Sequence, residues 1–300
     1  MSNSTVMFIN TLKKDARYFQ IIFQSAFLGY GIFYLGWKAD WWLYLTYFTC
    51  SIITQLIFEF FIGKKETVYW KRIKSSFPSV LISSFGLSLL LKTNHLEIAA
   101  LAAFVSIASK FIIRINGKHI FNPSALGIVT AIFFTDKAWF SPGQWGSSTV
   151  ILFGICCLGI IVVTKVQKLD TSLVFLITFA ALLFIRQIIY LGWPLDFFVQ
   201  SISTGSLLLF SFFMITDPKT TPNHTTARII WSILVAGVAF YLTTFNFING
   251  APVWVLIGMQ PAVPVLDYFF KAKKFEWKLP SSLNKKETEF LNTVYKNLSI

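Results

Sequence analysis

Charged side chains are scarce in this sequence. They make up 13% of its 300 residues, about half of what a soluble domain usually carries. Hydrophobic residues make up 55%, phenylalanine alone occurs 33 times, and the mean hydropathy is +0.64. This composition excludes an ordinary soluble domain and predicts a polytopic membrane protein.

The residue sets of several kinds of catalytic site are also missing. The three cysteines (Cys50, Cys156 and Cys157) fall in apolar runs without metal-type spacing, so we interpret them as small core residues. His95 and His224 stand in separate loops without ligand-like spacing, and neither haem nor metal is expected. No Ser-His-Asp set, phosphate loop or paired carboxylates suggest hydrolase or ATPase chemistry. The sequence therefore predicts no catalytic residue and no metal ligand.

Positive charge is plentiful, but it is dispersed. The formal net charge is +13, and the cations occupy short connections between apolar runs rather than one basic domain. The expected partner is therefore a lipid bilayer and not nucleic acid. The amino-terminal region is polar through Arg17, and the apolar run that follows resembles a membrane span more than a signal core, so no cleavable signal is expected.

Apolar runs alternate with polar connections along the chain, and we count ten of them. About 20 apolar residues in a helix cross a ~30 Å hydrocarbon core. The ten predicted transmembrane helices are Phe19–Gly36, Trp41–Ile62, Phe77–Leu91, Leu96–Ile113, Pro123–Phe134, Val150–Val163, Leu173–Tyr190, Phe197–Ile215, Ile229–Phe245 and Pro252–Phe270.

Charge supports this count. With a cytoplasmic amino terminus, all but four of the 26 Lys and Arg residues fall on the cytoplasmic side, the four being Lys38, Lys92, Lys137 and Arg186. This asymmetry is what the positive-inside rule demands. We therefore expect a multi-pass protein of the bacterial inner membrane with both termini in the cytoplasm.

Five spans precede a long outer loop and five follow it, so the second five enter from the opposite face. This is the arrangement of an inverted repeat, and Ser83–Leu91 (SSFGLSLLL) also resembles Ser201–Leu209 (SISTGSLLL). The predicted fold is all-α, with two inverted five-helix repeats that contain broken helices. The expected segments are a cytoplasmic amino-terminal segment (1–18), a first five-helix repeat (19–134), an outer loop (135–149), a second five-helix repeat (150–270) and a basic cytoplasmic tail (271–300).

The fifth span is too short to cross straight, because twelve residues of helix reach only about 18 Å. Asn122 followed by Pro123 is typical of a helix start. The preceding residues 116–121 would then enter the membrane zone as non-helical backbone, and the helix would point its positive end at an anion or a carbonyl group. A cytoplasmic loop followed by a short tilted helix is an equally good interpretation.

The eighth span carries small polar residues and ends abruptly at Thr216-Asp217-Pro218, since proline disfavours helix in the residue before it. Two acidic residues near span ends have alternative interpretations. Glu59 is expected to reach the interface or to pair with Lys64 or Lys65, or else to serve an ion pathway. Asp267 is expected to pair with a lysine of the tail.

Three motifs carry a resemblance to a known family. Residues 117–127 (GKHIFNPSALG) resemble the G-x-N-x-F-N-P-A-x-x-G segment shared by NqrB, a membrane component of the sodium-pumping NADH:quinone reductase, and RnfD, a membrane component of the Rnf complex. Residues 212–222 (FFMITDPKTTP) resemble that family's F-F-M-x-T-D-P-V-T-S-P, and residues 263–268 (VPVLDY) resemble its V-P-L-I-D-Y. The compact length also resembles the UnbU-like branch of this superfamily.

The resemblance implies a flavin-carrying component of a membrane electron-transfer chain. The residues expected at the cofactor are Lys118, His119, Phe121, Asn122, Thr204, Ser206, Thr216 and Asp217. His119 departs from the family, which has asparagine there. The family commonly attaches FMN through the last residue of an S-G-A-T motif, which here is Leu207. Because leucine has no hydroxyl, we expect a non-covalent flavin, FMN or riboflavin.

The sequence thus predicts an electron-transfer subunit that works with membrane or periplasmic redox partners. Two alternatives remain open. Inverted repeats with broken helices also form solute or ion transporters and channels, and the chain could instead be a non-catalytic membrane anchor for an extracellular partner.

Overall fold

The computed structural model describes residues 15–62, 66–141, 159–273 and 275, and these ranges are mostly helical. The helices are α1 (Ala16–Phe33), α2 (Trp41–Ile62), α3 (Glu66–Leu90), α4 (Leu96–Ile112), α5 (Pro123–Thr135), α6 (described over residues 159–166), α7 (Leu169–Phe184, continued as a π-helix over Ile185–Tyr190), α8 (Leu195–Ile202), α9 (Gly205–Leu209, continued as a π-helix over Phe210–Met214), α10 (Thr225–Thr244), α11 (Ala251–Met259) and α12 (Val263–Phe269). A 3-10 turn, Gln260–Ala262, joins the last two.

Four short strands form two pairs. They are β1 (Leu91–Thr93), β2 (Arg114–Ile115), β3 (Lys118–His119) and β4 (Ala138–Phe140). Strand β1 pairs with β4, and β2 pairs with β3 in a hairpin, both antiparallel. The pairs lie at opposite ends of α4, whose 17 residues span about 26 Å. We call these ends of the molecule the β1–β4 end and the hairpin end.

Several helices are suited to a bilayer. Four are long and apolar enough to cross it: Trp41–Phe61, Arg72–Leu90, Leu169–Tyr190 and Thr225–Thr244. A fifth crossing is possible if α8 and α9, which meet at a 46° bend, form one broken span. The chain is therefore a multi-pass membrane protein, as predicted.

The finer predictions have mixed outcomes. Every predicted span that falls in the described ranges coincides with helix, and the bounds of α2, α4 and α5 agree to within one residue. The sixth span and the outer loop fall largely on residues 142–158, and most of the basic tail falls beyond residue 275, outside the described residues. The ten-span inverted repeat therefore stays a prediction.

The predicted eighth span is interrupted. Helix α8 ends at Ile202, and α9 begins at Gly205. The hydroxyls of Ser201 and Ser203 donate to the carbonyls four residues earlier, at 2.8 and 2.5 Å. Such back-bonding bends helices, which gives a local reason for the break.

Small residues bring α4 and α5 close together. Gly127 of α5 lies so near α4 that a Cβ atom there would stand 2.5 Å from the carbonyl oxygen of Ala102. The alanines of this contact, Ala99, Ala102 and Ala131, are fully buried. Close backbone approach over small residues is a common mode of helix association in membranes, and here it fixes α5 against the bundle.

Candidate functional site

The start of α5 joins three distant segments through Asn122. Its side-chain oxygen accepts a hydrogen bond from Ala125 N at 3.1 Å, so it caps the helix as predicted. Its side-chain nitrogen donates to the carbonyl oxygen of Met214 at 3.3 Å, and its backbone nitrogen donates to Gln260 Oε1 at 2.9 Å. Asn122 therefore ties α5 to the end of the π-helix after α9 and to the turn between α11 and α12.

The hairpin before α5 positions His119. Asn116 and Gly117 form its two-residue turn with φ values of +52° and +79°. Two successive positive φ values are typical of the hairpin turn for which Asn-Gly is favoured. Residues 116–121, predicted to be non-helical, are thus a paired hairpin and its continuation. His119 lies in β3 opposite Arg114 and is 9% exposed.

The turn Thr216-Asp217-Pro218 lies next to His119. The carbonyl oxygen of Asp217 accepts hydrogen bonds from the backbone nitrogens of Thr220 and Thr221, and its carboxylate accepts one from Lys219 N at 3.0 Å. These bonds fix the turn. Asp217 Oδ2 lies 3.6 Å from His119 Nε2, slightly beyond hydrogen-bond distance.

The electrostatics of this pair are set by burial and by nearby lysines. Burial lowers the pKa of His119, and Lys219 and Lys110 lower it further against the attraction of Asp217. Burial acts to raise the pKa of Asp217, but His119 and the backbone and charge of Lys219 bring it below its ordinary value. At neutral pH the site therefore contains a neutral imidazole beside an ionised carboxylate.

These groups line a cavity of about 200 Å³, which we call the inner cavity. Its polar lining includes Gln24, Lys110, His119, Asn122, Thr216 and Asp217, and its apolar lining includes Leu89, Leu90, Phe212 and Phe213. Gln24 Oε1 and His119 Nε2 are buried and have no hydrogen-bond partner among the described residues. Two buried polar atoms without partners on one cavity indicate that the site accepts a polar ligand or water.

Six further charged residues of the inner cavity were missed as site residues: Arg17, Glu59, Arg72, Lys110, Arg114 and Lys219. Lys110 donates from Nζ to the carbonyl oxygen of Ser79 and to the hydroxyl of Ser83, at 3.1 and 3.0 Å. Glu59 forms a 2.9 Å ion pair with Arg72, and both side chains are about 95% buried. Ser83 lies in the segment Ser83–Leu91 that resembles Ser201–Leu209. The contacts of Ser79 and Ser83 with Lys110, however, depend on how α3 and α4 pack, which the sequence did not show.

Lys118 does not line the inner cavity. Its Nζ donates to Asn223 Oδ1 at 2.7 Å and forms a 3.1 Å ion pair with Asp267, whose carboxylate also accepts two 2.7 Å bonds from Asn223. Among the described residues Asp267 thus pairs with Lys118; of the two tail lysines expected as its partner, Lys271 and Lys274, the second lies outside the described residues. These residues border a second cavity of about 250 Å³ at the hairpin end, which we call the surface cavity.

The other predicted cofactor residues lie apart from the inner cavity. Phe121 is half-buried, and it is not among the described residues that line the cavity. Thr204 and Ser206 flank the start of α9, roughly 15 Å along the helix from Thr216, and do not line the cavity either. Leu207, at the position where the resemblance places covalent FMN, is buried in α9. The structure therefore brings together His119, Asn122, Thr216 and Asp217 of the eight predicted residues.

Comparison with known proteins gives one family. The family model described as NQR2, RnfD, RnfE matches residues 134–276. The match covers slightly less than half of the chain, and over these residues the chain is similar to the NQR2, RnfD, RnfE family. The matched region contains the Thr216-Asp217-Pro218 turn, both helices of the broken span and Asp267. Asn122 and the hairpin precede it. No curated protein matches the chain.

Proposed function

We propose that the protein is an integral-membrane electron-transfer subunit that holds one non-covalent flavin, FMN or riboflavin, in the inner cavity. The observation that carries the proposal is the composition of this cavity. Its lining combines apolar and aromatic residues with many polar and charged ones, so that it offers a planar cofactor both an apolar contact surface and hydrogen-bond partners. Its two partnerless polar atoms, on Gln24 and His119, supply hydrogen bonds that a flavin ring edge needs.

The chain's own residues have distinct roles in this proposal. Phe212 and Phe213 form an aromatic wall. Asn122 fixes the polar rim, and the cation of Lys110 attracts the electron-rich end of the ring or a phosphate. Leu207 leaves no hydroxyl at the covalent attachment position, so the flavin is released by denaturation. Electrons reach and leave the site through membrane or periplasmic partner subunits, in a bacterial inner membrane with both termini cytoplasmic.

The first test is the visible absorption spectrum of the detergent-purified protein before and after acid precipitation. We expect flavin bands that move to the supernatant. Lys110→Met should lower flavin content about tenfold, because it removes a buried charge from the cavity. Lys92→Met is the matched control, since Lys92 is also a half-buried lysine that donates to a main-chain carbonyl, but it lies at the β1–β4 end.

Three results would count against the proposal. Colour that stays in the pellet would refute the argument from Leu207. Equal loss of flavin in the Lys110 and Lys92 variants would place the flavin elsewhere. A colourless, well-folded protein would favour transport, for which the 46° break between α8 and α9 is the supporting observation, because broken helices form the substrate sites of many transporters.

A further inference from the structure

The inner and surface cavities are neighbours, since they share lining residues. The surface cavity is lined at its outer side by Lys271 and Ala272, both exposed. Among the described residues, His119 and Lys219 alone line both cavities. The imidazole of His119 and the side chain of Lys219 therefore stand where the two cavities meet.

The hairpin fixes the backbone on both sides of His119. The hairpin pairs it with Arg114 at one edge, and the bond from Ile120 N to Ile113 O, at 3.2 Å, continues the pairing after it. Its Nε2 is oriented towards Asp217 of the inner cavity, 3.6 Å away, and no described residue is within hydrogen-bond distance of that nitrogen. A histidine in this position can exchange protons with water or a ligand without first breaking an internal bond.

We propose that His119 transfers protons between the surface cavity and the inner cavity. The two cavities give a proton an aqueous approach from the hairpin end and a destination inside the protein. The neutral imidazole has one nitrogen that donates and one that accepts, so a single ring can serve both sides. The identity of the proton acceptor in the inner cavity, a reduced flavin, rests on the proposed function. The passage of protons between the two cavities does not depend on it.

The step balances as follows. The unprotonated ring nitrogen accepts a proton from water of the surface cavity, and the ring becomes imidazolium. The other nitrogen then releases its proton to the acceptor in the inner cavity, and the ring returns to neutral as the other tautomer. Rotation of the ring leaves the tautomer unchanged but turns the new N–H towards the inner cavity and the unprotonated nitrogen towards the surface cavity, so the next cycle can begin. One proton is moved in each cycle, and no electron transfer is needed.

The charges that face His119 suit a carrier that must release its proton. Asp217 lies beside it on the turn after α9, Lys219 follows on the same turn, and Lys110 faces it from α4. Burial and the two lysines lower the pKa of His119, so that its charged form is short-lived at neutral pH. Asp217 stabilises that form while it exists.

This inference explains the departure of His119 from the family motif. The asparagine that the resembling motifs have at this position donates and accepts hydrogen bonds, but it does not accept a proton near neutral pH. Histidine keeps the donor and adds proton transfer.

The first experiment measures access and needs no flavin. Deuterium exchange at the imidazole carbon, followed by mass spectrometry of the full-length protein, reports the solvent access of each histidine. We expect His119 to exchange, and Ala272→Phe, which fills the mouth of the surface cavity, to slow it severalfold. Ala262→Phe is the control, since Ala262 is exposed nearby and does not line that cavity. Exchange that is unaffected by Ala272→Phe would overturn the proposed path.

The second experiment measures proton uptake by the flavin-loaded protein after rapid reduction, with a pH indicator in stopped flow. His119→Asn, compared with the wild type at equal flavin occupancy, should slow proton uptake per flavin about 100-fold or more, since a positioned acid–base group contributes roughly 10²- to 10⁴-fold. His224→Asn is the control, because His224 caps α10 by accepting from Thr226 N and asparagine caps equally well. Uptake at the wild-type rate in His119→Asn would refute the transfer role. Absence of flavin from the wild type would refute the proposed function, and the exchange experiment would then decide on the passage alone.

Discussion

The buried ion pair between Glu59 and Arg72 gives the sharpest prediction about stability. The two side chains are 4% and 5% exposed, the ion-pair distance is 2.9 Å, and Gln55 Nε2 donates to the same carboxylate at 3.1 Å. Removing one partner of a buried pair leaves an uncompensated charge and costs roughly 3–5 kcal/mol. Arg72→Met should therefore lower the free energy of unfolding by that amount, equivalent to a fall in Tm of roughly 6–12 °C.

The assay is thermal unfolding of the detergent-purified protein, followed by tryptophan fluorescence. Replacing both partners, as Glu59→Leu with Arg72→Met, should recover most of the loss, because an apolar pair of similar volume is often as stable as the ion pair. Glu97→Gln is the control: its partner His95 is 42% exposed, and exposed pairs contribute at most about 1 kcal/mol. If Arg72→Met changes the Tm no more than Glu97→Gln, or if the double variant is no more stable than the single one, the pair does not stabilise α2 against α3.

Two other predictions concern packing and pH. Gly127→Ala should destabilise the protein by about 1–3 kcal/mol, because its Cβ would meet the carbonyl oxygen of Ala102. Gly237→Ala is the control: nothing lies within 4 Å of a Cβ atom there, so its stability should be unchanged or higher by up to about 1 kcal/mol. Thermal unfolding compares the two variants, and equal effects would contradict the close contact between α4 and α5. Burial and the cation of Arg228 lower the pKa of Lys168 to about 7 in the folded protein. Between about pH 7 and pH 10 the unfolded chain therefore binds more protons at Lys168 than the folded protein does. The free energy of unfolding rises with pH over that window as far as this group is concerned. Lys168→Met should raise the Tm most at pH 6.5, by an amount equivalent to roughly 3–5 kcal/mol, and the gain should shrink by pH 9.5; a gain independent of pH would refute the assignment.

The sequence predicts local features of this protein well. The starts of α2 and α5 follow from the apolar runs and from the Asn122-Pro123 cap, because both depend on neighbouring residues. The hairpin was predictable but was missed: Asn116-Gly117 is the strongest two-residue hairpin signal, and it was interpreted only as non-helical backbone.

Other features depend on packing and could not be predicted. The partner of Glu59 is thirteen positions away on another helix, and a candidate lysine was nearer in sequence. Lys118 was expected at the cofactor because its neighbours His119 and Asn122 are there. In a β-strand, however, successive side chains point to opposite faces, so His119 reaches the inner cavity while Lys118 turns to Asp267.

The three hydrogen bonds of Asn122 bear on how anything could pass into the inner cavity. They make one wall, where α5 meets Met214 and Gln260, a single rigid unit. Widening the cavity at that wall would break a helix cap and two tertiary bonds together. Helices α1 and α6 also border the cavity, through Gln24 and Val163, and they contact each other where Lys165 Nζ lies 3.7 Å from the ring centroid of Phe19. Helix α5 is thus a fixed surface of the cavity, against which a cofactor or substrate would be positioned.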